Sequence, residues 1–502
     1  MATINGKACV INGVPVDKVF SNGRQVYCRN MPVDTDVPNN AIYKNKYGYV
    51  LRDVVWYDAD KKVYVATDSN GQAISGSGKK ISATGRNNEI KIRRHKNGHI
   101  DLSVDLSDAE VTNFIHTVNQ HQVGDTVSFI QVTDSHYDPF GVIYEQDVPQ
   151  ALPGIGEQNY KMTNAIYNQF IGREGHKDMF KNIGAIAQRF SRKPAFTMHT
   201  GDIVDGSPND PQERLKSFDI VFSYMDSGLN MPNYVTMGNH DLLRGEPEQG
   251  YLTSAQRQLP NRALINQKLM SHVRAQGGAD IASVDHGYYS VDDNVNKIRY
   301  IMLNTHDNQN TTPGQANTQG AITKAQIDWL IQKLKATPDD FHVVFFGHHV
   351  LPPAKFVRNG NPNDYTWWIY NLNGDVVADI LNAFQHSTSV SVATKQDYVW
   401  RPADFVGSWQ VDFSAHKPGR VIEMATGHRH NNQQWSAEQT IYGINTVVEE
   451  NLAGEWWDNF GTNHSFQFAV HTINLSTGEL FIDRFSPTNL VANQFTKYNF
   501  QI

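Results

Sequence analysis

Five short apolar runs, each broken at its end by ionisable or amide side chains, constrain this chain more than any other feature. Asp134-Ser135-His136 follows VSFIQVT, Gly201-Asp202-Ile203-Val204-Asp205 follows FTMHT, and Gly238-Asn239-His240-Asp241 follows YVTM. Gly347-His348-His349 then follows HVVFF, and Gly427-His428-Arg429-His430 follows VIEMAT. Apolar runs without alternation read as strands covered on both faces. The stretches 160–190, 212–225 and 325–335 carry helical spacing, the last opened by a capping box from Thr323 to Gln326. Strands alternating with helices predict an α/β fold built on mixed sheet and flanked by helices. In such sheets sites form beyond the carboxyl ends of the strands, so the five clusters should converge in one crevice.

The converging groups have one kind of chemistry. Asp134, His136, Asp202, Asn239, one of His348 and His349, His428 and His430 supply carboxylate, imidazole and amide donors without a thiolate, which suits Mn, Fe, Zn or Co. Seven donors exceed one tetrahedral ion and suit two divalent metal ions sharing a carboxylate. Glycine before Asp202, Asn239, His348 and His428 permits sharp turns and close approach of backbone. Cys9 and Cys28 are the only cysteines, which excludes a disulfide framework and a cysteine-rich zinc site.

This order of motifs resembles the calcineurin-like metallophosphoesterase superfamily over residues 129 to about 485. The resemblance implies a sandwich of mixed β-sheets flanked by helices. It makes Asp134, His136, Asp202 and His430 ligands of one metal, and Asp202, Asn239, His348 and His428 ligands of the other, with Asp202 bridging. His348 is preferred over His349 because the family's ligand directly follows its strand, which leaves His349 behind the ligands or in the substrate pocket. His240 is then a group close to the substrate phosphate, able to stabilise charge or protonate the leaving oxygen. Asp205 and Asp241 read as groups that hold the ligand imidazoles or their loops. Arg429 reads equally as a phosphate contact and as a structural salt bridge. The implied reaction is phosphoester hydrolysis through a metal-bound hydroxide, with phosphodiesters favoured as substrates. A phosphomonoesterase or nucleotidase would share the same core. A structural or adhesion protein with a dormant phosphoesterase fold would not need the complete ligand set.

Outside the motifs the chain changes character. Residues 1–105 alternate in short runs separated by turn residues, with hairpins expected in VVWYDADKKVYVAT and EIKIRRHKNGHIDLSV. A capping box from Ser107 to Glu110 opens the first helix, so a small N-terminal all-β attachment module (1–105) should precede the phosphoesterase domain (106–502). An aromatic-rich insertion at about 353–419 contains Tyr365, Trp367, Trp368, Tyr370, Trp400 and Trp409, read either as packing or as a wall on which sugars or bases stack. SFQFAVHTINLSTGELFIDRF reads as a C-terminal hairpin. The opening, ATINGKACVINGVPVDKVFSNGRQVYCRN, is similar to that of minor structural tail proteins of phages and prophages of Gram-positive bacteria. This second resemblance implies docking to other phage tail proteins and a host-surface phosphodiester polymer such as teichoic acid as substrate.

Lys and Arg number 44 against 51 Asp and Glu, a net charge of −7, which argues against a general nucleic-acid binder. The basic run from Lys91 to Lys96 reads as a solvated strand edge. No stretch approaches the length of a membrane span, and the N-terminus lacks the pattern of a signal peptide. A soluble protein is therefore expected, placed in a virion tail or otherwise in the cytoplasm, with a homo-oligomer left open.

Overall fold

The computed structural model describes strand segments between Ala2 and Asp101, then residues 104, 106–107, 109–137, 142–143, 176–204, 211–242, 262–307, 320–351, 371–395, 402–430, 432–440, 443–449, 452, 466–485 and 495–500. Two mixed sheets form the body. The first has six strands, in the order Asn233–Val235, Thr197–His199, Thr126–Val132, Phe468–Asn474, Glu479–Phe485 and Phe495–Asn499. Its first three strands are parallel, and the last three join antiparallel. The second has seven, in the order Ala279–Ser283, Tyr288–Asp293, Ile298–Met302, His342–Phe346, Val421–Thr426, Asn445–Val448 and Gln433–Trp435, with a parallel centre and antiparallel edges.

Alternation along the strands explains how the layers stack. Tyr300, Met302, Val344 and Phe346 of the second sheet share a core with Phe129, Phe196 and Met198 of the first. Their neighbours Ile301, Leu303, Val343 and Phe345 point the other way, into a core completed by the helices Lys324–Lys335 and Gly374–His386. The helices Ala109–His121, His176–Ala187, Pro211–Leu229 and Arg262–Gln276 contribute to the core of the first sheet. Strand Thr126–Val132 is thus buried along its whole length. Phe129 lies at the centre of the sandwich, stacked on Phe196 at 5.4 Å and edge-on to Phe346 at 5.2 Å. Two buried contacts also cross between the sheets: a hydrogen bond of His471 with Glu423 at 2.9 Å, and an ion pair of Arg484 with Glu449 at 2.8 Å.

The expected hairpins in the first hundred residues form, Trp56–Asp58 with Val63–Val65 and Arg93–Arg94 with Ile100–Asp101. One N-terminal strand, Gly48–Arg52, also pairs antiparallel with Val142–Ile143 from beyond the first motif. The C-terminal hairpin turns at 475–478 as expected. Of the stretch 160–190, the helix His176–Ala187 is seen, and 160–175 lies outside the described residues. The first helix starts at Ala109, directly after the expected Ser107 capping region.

One expectation is corrected. Thr323 stands at the N-cap of Lys324–Lys335 but makes no side-chain cap bond. Its hydroxyl donates instead to Asp307 Oδ2 at 2.7 Å, and Gln326 bonds both backbone groups of Asn304. A buried loop beside the helix outcompetes the helix end for these two side chains. No helix among the described residues is long and apolar enough to cross a membrane.

Candidate metal centre

All five clusters sit beyond carboxyl ends of strands, three on the first sheet and two on the second, and they meet at one end of the sandwich. Two groups of donor atoms result. Asp134, His136, Asp202 and His430 form one, and Asp202, His348 and His428 form the other, with the donor atoms of each group within 4.8 Å of one another. Asp202 belongs to both. Asn239 joins the second group, its Oδ1 lying 3.1 Å from His348 Nε2. His348 Nε2 lies 3.1 Å from Asp202 Oδ2, and His430 Nε2 lies 3.1 Å from Asp134 Oδ1.

The backbone is bent to bring these atoms together. Asp134, His136, Asp202, His428 and His430 all have left-handed backbone, with φ of 50°, 47°, 53°, 72° and 49°. They are five of the nine such non-glycine residues among the described residues. That conformation is costly for residues with a Cβ and concentrates where the surroundings impose it. Of the four glycines that precede ligands, Gly201 alone is left-handed, with φ of 100°. Gly238 and Gly427 are needed for space: a Cβ on the first would strike the Asp202 backbone and carboxylate, and on the second Thr133 and Asp134.

Electrostatics follow from burial and crowding. Burial opposes ionisation of Asp134 and Asp202, but the charges of His348 and of further histidines around them hold both carboxyls below their usual range. Burial likewise opposes charging of His348, yet the Asp202 and Asp134 carboxylates push it up to about 9. Burial and the nearby His348 push His428 down to about 3. The donor set fits divalent cations on one further observation. His136 Nε2 and His430 Nε2 face each other at 2.9 Å, with Asp134 and Asp202 oxygens around them. Imidazole nitrogens and carboxylate oxygens clustered this closely suit a divalent cation that takes oxygen and nitrogen ligands.

Around the donors the chain is tied down. Asp241 is buried and accepts the amide hydrogens of Ile203, Val204 and Gly238, so it joins the Asp202 loop to the Asn239 loop. Burial, with Asp202 close by, pushes its carboxyl up to about 7. His240 donates its amide hydrogen to Asp202 Oδ1 at 2.7 Å, and its ring meets His136 edge-on at 4.4 Å. His349 is buried next to His348 and His428, at ring separations of 5.0 and 4.3 Å, but belongs to neither donor group. Arg429 is half-buried between His428 and His430. Asp205 lies outside the described residues, as do Tyr365, Trp367, Trp368, Tyr370 and Trp400. Trp409 is a packing residue, buried in the core of the second sheet's helices, with Nε1 donating to Asp328 at 2.7 Å.

A sixth cluster escaped the sequence reading. Asn304-Thr305-His306-Asp307 follows the run ending at Leu303, the same grammar as the other five. Thr305 accepts the amide hydrogens of His348 and His349, and His306 stacks on His349 at 5.5 Å. Two other threonines act close by: Thr133 bonds Asp134 Oδ2, and the Thr200 carbonyl faces His348 Nδ1 at 2.8 Å.

Paired groups of carboxylate and imidazole at strand ends, in a two-sheet α/β sandwich, suit a divalent metal centre. The calcineurin-like phosphoesterase family model matches residues 127–383, and the chain belongs to that family, one of metal-dependent phosphoric ester hydrolases. No curated protein sequence matches it significantly. Among solved structures, the chain is similar to a dimetal phosphatase from Danio rerio, at 12% identity and TM-score 0.44, covering 75% of this chain and 99% of that one. The phosphopantetheinyl hydrolase of Mycobacterium tuberculosis is similar at 9% identity and TM-score 0.29, covering 66% of this chain and 91% of that one.

Proposed function

We propose that the protein is a dinuclear-metal phosphoesterase whose preferred substrates are phosphodiesters. The observation that carries this reading is the sharing of Asp202 between two donor groups, which suits a pair of cations better than one. Asp134, His136, Asp202 and His430 would hold one ion, and Asp202, Asn239, His348 and His428 the other. Two divalent ions so held would acidify a shared water and neutralise charge on the phosphoryl oxygens.

The remaining roles fall to the chain's own residues. The departing alkoxide needs a proton. His240 supplies it in this reading, because its backbone is tied to Asp202 while its ring lies against His136 and remains partly exposed. Asp241 keeps the loops of Asp202 and Asn239 in register. Arg429 contacts a phosphoryl oxygen in this reading, with a structural salt bridge as the alternative. Ser135 is buried, its hydroxyl bonded to the Ile203 carbonyl at 2.8 Å and 2.9 Å from His199 Nε2, and this reading gives it no role in the reaction.

Diesters are favoured over monoesters in this reading because the opening thirty residues resemble those of phage tail proteins, for which a phosphodiester polymer of the host surface would be the substrate. The natural substrate in this reading is a phosphodiester polymer such as teichoic acid, and the first 105 residues are the docking module. Protein stripped with chelator and reloaded with Mn²⁺ is to be assayed in parallel on an aryl phosphodiester and an aryl phosphomonoester. Faster turnover of the diester supports the proposal. Faster turnover of the monoester reassigns the protein as a phosphomonoesterase, and no turnover of either leaves a dormant fold.

A further inference from the structure

His348 and His349 are adjacent, both buried, and identical in chemistry, yet their hydrogen bonds are opposite in sense. His348 Nδ1 lies 2.8 Å from the Thr200 carbonyl oxygen, which can only accept. That nitrogen therefore carries the hydrogen, and its Nε2 is turned toward Asp202 Oδ2 and Asn239 Oδ1, among the donor atoms. Such outer contacts fix which ring nitrogen is free to bind a cation.

His349 is governed by Thr305. The Thr305 hydroxyl oxygen accepts two amide hydrogens, from His348 at 3.1 Å and from His349 at 2.8 Å. A hydroxyl has two lone pairs and one hydrogen, so both acceptor positions are filled. Its remaining partner is His349 Nδ1 at 3.2 Å, and the only bond left for the hydroxyl to make is a donated one. His349 Nδ1 is consequently the acceptor, and the hydrogen of the neutral ring resides on Nε2. A hydrogen on Nδ1 would bring a third donor to an oxygen with no lone pair left.

We propose that Thr305 is the positioning residue that sorts this histidine pair, fixing His349 as the Nε2–H tautomer with its Nδ1 held on the hydroxyl, so that His348 and not His349 serves as the ligand. The effect on turnover rests on the phosphoesterase reading; the tautomer does not. Thr305 is well placed for the task, fully buried against the second sheet's His348-His349 motif, with its carbonyl bonded to Ala321 and its methyl against Gly347.

The test is made on the full chain loaded with Zn²⁺, which is diamagnetic, with ¹⁵N-labelled histidine. Ring-nitrogen spectra are recorded, and the His349 signals are assigned by their loss in His349→Gln. A protonated Nε2 and bare Nδ1 at His349 support the assignment. A protonated Nδ1 in the unaltered protein overturns it, whatever the variants do. Thr305→Val removes the hydroxyl and should abolish the fixed pattern, lowering kcat on an aryl phosphodiester about 10- to 100-fold with KM and zinc content unchanged. Thr305→Ser should restore pattern and turnover together. A Val variant that keeps both the Nε2–H pattern and full turnover overturns the role given to Thr305. Should the Val variant not fold, the spectra of the unaltered and Ser proteins still decide. A chain with the expected tautomer that hydrolyses no phosphoester refutes the phosphoesterase reading and leaves the sorting intact.

Discussion

The two oxygens of Asp202 serve different neighbours: Oδ1 takes the His240 amide hydrogen at 2.7 Å, while Oδ2 faces His348 Nε2 at 3.1 Å and His136 Nε2 at 3.8 Å. Replacing it with asparagine keeps the shape and removes the charge that both donor groups share. We expect Asp202→Asn to lower metal content and hydrolysis more than His136→Ala or His428→Ala, each of which touches one group; elemental analysis and an aryl phosphoester assay check this. Equal losses in all three variants would remove the bridging role. His240 is separable from the ligands, because its contact with Asp202 is made by backbone. His240→Ala should retain both ions and lose turnover by roughly 10²–10⁴-fold, the range for a lost general acid. Loss of an ion in that variant would make His240 a ligand. These donors were legible because Asp, His and Asn after apolar runs have few other reasons to recur in that order. Thr305 was not, since a threonine after a strand is unremarkable until its two accepted amide bonds are seen. The left-handed backbone was legible only in part. Glycine signals it at Gly201, but five ligands adopt it against their own preference.

At the level of elements, periodicity identified the helices and strands that carry the site, and failed where a side chain had a better offer elsewhere. Thr323 and Gln326 have the spacing of a capping box, yet the buried loop at Asn304 to Asp307 claims both. No local pattern could reveal that competition. Histidine 272, on the helix Arg262–Gln276, shows a similar tertiary effect with a measurable consequence. Its ring stacks on Phe222 at 4.0 Å, and Nε2 donates to Asn233 Oδ1 at 2.6 Å. Burial pushes His272 down to about 4. The unfolded chain, with an ordinary value near 6.5, binds this proton first as pH falls. The folded state therefore loses stability progressively from about pH 6.5 to about pH 4, by roughly 3 kcal/mol at the lower end. His272→Gln cannot be protonated. Urea unfolding of chelator-treated protein at pH 7 and pH 4.5 should show the stability gap between the two proteins shifting in favour of the variant at the lower pH. A gap independent of pH would mean that His272 is charged, or equally basic, in both states.

The whole molecule depends on pairings between distant segments, and these were the least legible part. The C-terminal hairpin was visible in sequence, but not that Phe468–Asn474 would lie directly against Thr126–Val132 and so complete the first sheet. Nor does any motif announce the buried pair of His471 and Glu423, which links the two sheets behind the site. The first hundred residues pose the same question in reverse. We propose that they are a separate module, because every candidate ligand lies after Phe129 and the capping region near Ser107 marks the change from strands alone to alternating helix and strand. Against full independence stands one pairing, Gly48–Arg52 with Val142–Ile143, six residues beyond His136. That ladder has two residue pairs, so its loss removes few backbone hydrogen bonds. Exposed strand edges in such a module would in turn offer unpaired backbone groups to a partner. A chain beginning at Ser107 should therefore remain soluble, bind the same metal content and keep its turnover. An insoluble fragment, or one that loses metal from the His136 side of the site, would show that the N-terminal strands complete the catalytic body. Docking calls for a second measurement on the full chain and on the shortened one: co-sedimentation with assembled tails. Capture of the full chain alone supports attachment through residues 1–105, and capture of both places the contact on the phosphoesterase body instead.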